Sequence, residues 1–173
     1  SYPLPEETVL DRLKDAGISV TTVGKLDDIF AGKGISVSIH VENNRDAIKA
    51  VLELASGKVP GLVFANLIDF DMLFGHRRDH LGYARAIEDA DTFLGRLISL
   101  AHDDDVIIVT ADHGNDPTFR GSDHTREYVP LLVWRGNEPR GKSLGIRNGY
   151  FDIAQSIAGS FKLAGMPRGV SFL

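Results

Sequence analysis

Short segments too apolar on both sides to face water alternate along this chain with segments of helical periodicity, and that alternation constrains its fold most. Gly61 to Ile68 and Asp105 to Thr110 are nearly continuous in apolar side chains, as strands covered on both faces must be. The β-branched run Ile18 to Val23 and the shorter stretches Ser36 to Val41 and Pro130 to Trp134 read as further strands. Glu6 to Ala16 carries Val9, Leu10 and Leu13 at helical spacing, with Pro5 ahead and Gly17 placed as a left-handed stop. Asp27 to Phe30 reads as a short helical turn. Asn43 or Asn44 caps a helix through Ala55 that sets Ala47, Ile48, Val51 and Leu54 on one face. His80 to Ala101 forms a long amphipathic helix along Ala84, Ile87, Asp91, Leu94, Leu97, Ile98 and Ala101. Tyr150 to Ala164 closes the chain with Ile153, Ile157, Phe161 and Ala164 on its buried side. The expected fold class is therefore α/β, a mostly parallel sheet flanked by helices on both faces. Ligands of such folds gather outside the carboxyl ends of the strands.

At 173 residues, with no repeat and no linker rich in Pro, Gly or Ser, residues 1–173 are expected to form a single domain. A chain of this size buries roughly 70% of its unfolded surface and needs no covalent staple. The absence of cysteine excludes disulfide frameworks, thiolate metal sites and cysteine nucleophiles, so any metal must take nitrogen and oxygen ligands. No apolar run approaches the roughly 20 residues that span a bilayer, and Ser1-Tyr2-Pro3-Leu4-Pro5 has no basic leader pattern. A net charge of −5 with interspersed signs offers no basic stripe for nucleic acid. The expectation is a cytoplasmic protein with neither membrane nor nucleic-acid partners. A helix opening at residue 6 with no strand before it is unusual for such a sheet, so part of the sheet is expected upstream. The exposed edge would then favour self-association or pairing with the missing part.

Two segments that follow apolar strands hold most of the metal-competent side chains, Asn66 to Asp79 and Val109 to Glu127. Adjacent Asp112 and His113 can face one ion only if the backbone leaves the strand there, and Gly114 permits the bend. Asp71 and His76 straddle Gly75 on a loop. Carboxylate plus imidazole suits Mn²⁺, Zn²⁺ or iron better than Ca²⁺ or Mg²⁺. Taken singly these residues have ordinary readings. An aspartate after a strand is commonly a cap or turn former, and His40, His80 and His102 fit the usual surface or core histidine. Two aspartates and three histidines on loops at one rim are harder to attribute to capping, and such clusters mark metal or catalytic sites. Asp69, Asp79, Asp116 and Asp123 stay open between cap or turn roles and, as their functional role, hydrogen bonds to ligating imidazoles. Arg77 and Arg78 offer planar forks suited to phosphate, while Arg78 can equally bridge to Asp79.

Asp-Phe-Asp-Met-Leu-Phe-Gly-His-Arg-Arg-Asp at 69–79, Thr-Ala-Asp-His-Gly-Asn-Asp-Pro at 110–117 and Gly-Ser-Asp-His-Thr-Arg-Glu-Tyr-Val-Pro at 121–130 closely resemble the phosphopentomutases of the alkaline phosphatase superfamily. Val23-Gly24-Lys25 and the ending Gly169-Val170-Ser171-Phe172-Leu173 resemble them too. The resemblance implies part of an alkaline-phosphatase-like core. It also implies an isomerase that interconverts ribose or deoxyribose 1-phosphate and 5-phosphate through a phosphothreonine. Two divalent ions, usually Mn²⁺ with Zn²⁺ accepting the same ligands, go with that activity. Carried over by position, Asp71, His76 and His124 hold one ion, Asp112 and His113 contribute to the other, and Lys25 contacts substrate phosphate. The nucleophilic threonine and an early aspartate ligand match nothing here. The resemblance thus implies the C-terminal portion of a longer enzyme, inactive by itself. The alternatives are a cofactor-independent phosphoglycerate mutase, a metal-dependent phosphatase of the same superfamily, or a non-catalytic metal-binding module.

Overall fold

The computed structural model describes residues 6–136, 138 and 141–173. Pro5, expected to lead into the first helix, lies outside them. The contact pattern separates two compact units. One holds the chain up to Val41 with Val59–Asn66 and Gly141–Leu173; the other holds Glu42–Lys58 and Leu67–Arg140.

The first unit opens with α1, Val9–Asp15. It starts later than the apolar spacing suggests because Thr8 and Asp11 form a capping box. The Thr8 hydroxyl accepts from the Asp11 N–H at 3.3 Å, and the Asp11 carboxylate accepts from the Thr8 N–H at 2.9 Å. Such a cap contributes about 1 kcal/mol. Gly17, at φ +74°, ends the helix as expected. Next come β1 (Val20–Val23), α2 (Leu26–Phe30), β2 (Val37–Ile39) and β3 (Leu62–Ala65). The three strands form a parallel sheet in the order β2-β1-β3, and the wholly buried β1 is its centre. Val23 is level with Ile39 on one side and Ala65 on the other, so Gly24, His40 and Asn66 leave the sheet at one carboxyl edge.

The closing helix α5, Phe151–Ser160, packs Ile157, with Phe161 just past its end, on a core of Val9, Leu10, Leu13, Val20 and Ile35. Burying a side chain such as Leu13 stabilises the fold by about 1.5–3 kcal/mol. Ala164, expected on the buried side, lies beyond the helix and is exposed. Asp152 and Ser156 are buried instead. They receive the backbone N–H groups of Val170 and Phe172, both at 2.9 Å, so this face of the helix holds the last residues of the chain.

In the second unit, α3 (Asn44–Ser56) is capped by Asn43, whose amide oxygen accepts from the Asp46 N–H at 2.9 Å. Asn44 has a different role. Its N–H and side chain pair reciprocally with Asp69, at 2.8 and 2.9 Å. Helix α4, His80–Leu100, starts at the Asp79 cap. Its buried line runs through Ala86 and Phe93, one residue off the expected stripe, and leaves Ile87 53% exposed. Both lines are apolar in the sequence, and the buried one carries the large aromatic ring of Phe93.

Strands β4 (Val106–Thr110) and β5 (Leu131–Arg135) pair antiparallel, with Thr110 opposite Leu131. No helix intervenes between them, so the crossover a parallel pair requires is missing. β4 is half-buried rather than covered on both faces, and it pairs with a strand along one edge only. The segment expected as a loop around Asp71 contains a π-helical turn, Phe70–Gly75. Among the described residues no helix is long and apolar enough to cross a membrane.

Candidate metal centre

The site residues of the second unit come from three places: the π-helical turn, the end of β4 and the long connection from β4 to β5. In the turn, the His76 N–H reaches back to the Asp71 carbonyl at 2.9 Å, five residues away. That wide turn sets the His76 ring beside the Asp71 carboxylate, with Nε2 to Oδ2 at 3.1 Å. An isolated antiparallel bridge joins Gly114 to Thr125 and draws the 113 and 124 segments together. Gly114 therefore serves a close approach rather than a bend in a left-handed conformation. A Cβ there would lie 2.8 Å from the Glu127 nitrogen and the Thr125 carbonyl.

His124 Nε2 stands 3.3 Å from Asp71 Oδ1. Its ring stacks on His113 at 3.8 Å between centroids and lies 4.8 Å from His76. One ligand atom from each of Asp71, His113 and His124 lies within 4.8 Å of the other two. Asp112 sits at the rim with its side chain 83% exposed and Oδ2 3.6 Å from His113 Nε2. The geometry thus gathers the imidazoles of His76, His113 and His124 around the Asp71 carboxylate, with Asp112 beside His113. Lys25 belongs to the first unit, where it is exposed at the start of α2 and its N–H donates to the Asn66 side chain at 3.3 Å.

The donor chemistry fits a cation. His76 Nδ1 faces the Ser122 carbonyl at 2.5 Å, and a carbonyl can only accept, so Nδ1 carries the proton. A neutral His76 then turns the lone pair of Nε2 toward a carboxylate oxygen, an arrangement of two acceptors that a shared cation stabilises. A metal ion or a second proton meets that need. The carbonyl behind the ring is the outer partner that ligating histidines ordinarily have.

Sequence reasoning missed Asn115. Its amide donates to Asp71 Oδ1 at 2.5 Å and so holds the carboxylate from behind. Gly75 makes room, since a Cβ there would fall on that amide. Arg78 makes no bridge to Asp79, which caps α4. Its guanidinium instead donates to the carbonyls of Gly121, Asp116 and Asp123 and to the Asn115 side chain. The four aspartates left open in the sequence make other contacts. Asp69 pairs with Asn44, Asp79 caps a helix, Asp116 accepts from Thr118, and Asp123 offers its carbonyl to Arg78. The Thr118 hydroxyl and N–H hold the Asp116 carboxyl below its usual range, with a smaller contribution from Arg78. Burial raises the Tyr83 phenol above its ordinary value, and the Asp71 charge adds to the effect.

A parallel α/β sheet and, in the other unit, a carboxylate ringed by imidazoles define the class of metal-binding α/β proteins. The family model described as the metalloenzyme superfamily matches residues 4–164, and the chain belongs to that superfamily. It is 48% identical over 166 residues to the phosphopentomutase of Caldanaerobacter subterraneus subsp. tengcongensis, a match covering 96% of this chain and 42% of that protein. It is 44% identical over 173 residues to the phosphopentomutase of Dictyoglomus thermophilum, covering all of this chain and 44% of the relative. The chain therefore spans less than half the length of these relatives. A crystal structure of Leishmania mexicana phosphoglycerate mutase at low cobalt concentration superposes with a TM-score of 0.75 at 16% identity, covering 94% of this chain and 38% of that one. That likeness shows a shared, alkaline-phosphatase-like fold.

Proposed function

We propose that this chain supplies metal-holding side chains to a phosphomutase that interconverts ribose or deoxyribose 1-phosphate and 5-phosphate in the cytoplasm. The observation that carries the reading is the Asp71 carboxylate faced by the Nε2 atoms of His76 and His124, in a chain similar to phosphopentomutases along nearly its whole length. Asp71, His76 and His124 would hold one divalent ion, Asp112 and His113 would contribute to a second, and Mn²⁺ suits this donor set, as does Zn²⁺. When bound, two such ions neutralise and align an in-line phosphoryl transfer. Asn115 keeps the Asp71 carboxylate oriented, the Ser122 carbonyl fixes the His76 tautomer, and Lys25 offers a cation to substrate phosphate.

The phosphothreonine of this reading would form on a residue other than those in the motifs here. The Thr125 hydroxyl donates to Glu127 at 2.5 Å and accepts from the Asp116 N–H at 2.6 Å. The Thr118 hydroxyl donates to Asp116 at 2.7 Å. We accordingly expect no turnover by residues 1–173 alone. The test is to supply the full-length gene product and this chain separately with Mn²⁺ and either ribose 1-phosphate or 3-phosphoglycerate. The reading requires pentose 5-phosphate from the full-length protein only. Turnover of 3-phosphoglycerate instead, or pentose turnover by this chain, would overturn it.

A further inference from the structure

We infer that Arg78 is the positioning residue of the metal centre: one guanidinium gathers the 115–124 loop and orients Asn115, and through these it sets His124 and the Asp71 carboxylate. The inference rests on the reading that Asp71, His76 and His124 bind a metal ion. The loop contributes His124 and the Ser122 carbonyl behind His76, yet it has no secondary structure between its bridged ends and its aromatic residue, Phe119, is 60% exposed. Apolar packing therefore does not hold it. Three of its carbonyls converge on the Arg78 side chain: Asp116 at 2.7 Å, Asp123 at 2.6 Å and Gly121. With the Asn115 oxygen the guanidinium meets four acceptors from its five fixed donors, one more than the three donors of an ammonium can serve.

Arg78 also decides which way Asn115 faces. A guanidinium has no acceptor, so the Asn115 oxygen must point to Nη1, at 2.8 Å, and its NH₂ must then point to Asp71. Arg78 itself adopts φ +55°. A β-carbon normally disfavours that conformation, and here it is retained where the guanidinium makes four hydrogen bonds. With its donors committed to the loop and to Asn115, Arg78 serves the site through them.

The sign of its effect on metal affinity separates this role from electrostatics. Deleting a positive charge near a cation site should tighten cation binding, and Arg78→Lys, which keeps the charge, should leave it unchanged. Positioning requires the opposite. Calorimetric titration of the purified protein with Mn²⁺ should show affinity falling about 10- to 100-fold in Arg78→Ala, with a clear loss in Arg78→Lys as well. The exposed Arg85→Ala variant is the charge-matched comparator and should bind no more weakly than the parent. In metal-free protein the Asp116 and Thr125 amides, both bonded within the loop, should exchange faster in the Arg78 variants while those of α3 do not. An added guanidinium-type cation should restore part of the affinity in Arg78→Ala. If Arg78→Ala fails to fold, Arg78→Lys carries the same measurements. Unchanged or tighter Mn²⁺ binding with unchanged loop exchange in the Arg78 variants would overturn the inference while leaving the metal reading intact. A parent protein that binds no Mn²⁺ would overturn both.

Discussion

Replacing Gly75 by alanine tests how closely the π-helical turn must approach the loop after β4. Gly75 is buried and its φ is not left-handed, so backbone strain does not oppose the change. In helical backbone alanine should gain about 0.5–1 kcal/mol over glycine. Against this, the new Cβ would fall on the Asn115 amide and lie 3.0 Å from the Phe70 carbonyl. Displacing the amide breaks its hydrogen bond to Asp71, a bond to a charged group and so about 1.5–3 kcal/mol. Asp71 is about one-third exposed, which places the loss at the lower end of that range. The net expectation is a destabilisation of about 1 kcal/mol in urea unfolding. A roughly tenfold weaker Mn²⁺ affinity should accompany it as the carboxylate loses its orientation. If Gly75→Ala is instead more stable and binds Mn²⁺ like the parent, Asn115 does not hold Asp71 and the account of the site is wrong.

Asp152→Ala should cost about 2 kcal/mol, because it strands the Val170 N–H and the partly buried Arg147; limited proteolysis should then reach residues 169–173 first, and resistance there would count against the anchoring described for α5. The raised Tyr83 pKa means that the fold favours the neutral phenol, so this group's contribution to stability is intact below pH 10.0 and is lost as pH rises through the folded value. Asp71→Asn should lower the Tyr83 value as followed by NMR, though not to 10.0, since burial remains. The lowered Asp116 pKa has the opposite sense: its contribution is present above 3.8 and is lost as pH falls through the folded value. Thr118→Val should bring the Asp116 carboxyl closer to 3.8 in a carbon-detected titration, and an unmoved titration would refute the assigned cause.

The elements that announce themselves in sequence are those whose period repeats. Val9, Leu10 and Leu13 with Gly17, or Asn43 ahead of Ala47 and Val51, state helix and boundary together, and the apolar run before Asn66 states a strand. Helix α4 shows where this stops. Its two apolar lines differ by one residue, and only packing on Phe93 and Ala86 selects between them. The candidate site divides in the same way. Asp71, His76, His113 and His124 were legible because residue type and clustering carry the chemistry. Asn115 and Arg78 were not, because their roles lie in what they touch across the chain, and a carbonyl such as that of Ser122 leaves no trace in residue identity. The π-helical turn has no propensity signature, and Phe70–Gly75 reads equally well as a loop.

That turn also governs what kinds of change this protein can accumulate. Removing one residue between Asp71 and His76 would convert the wide turn to an ordinary one, in which the two residues still share a face but the backbone hydrogen bond across five residues that sets their present approach is lost. Exchanging the exposed Leu73 for another side chain alters no ligand. Descendants of this sequence can therefore drift at the exposed positions of the segment, whereas Asp71, Gly75 and the length of the turn are tied to the approach of His76.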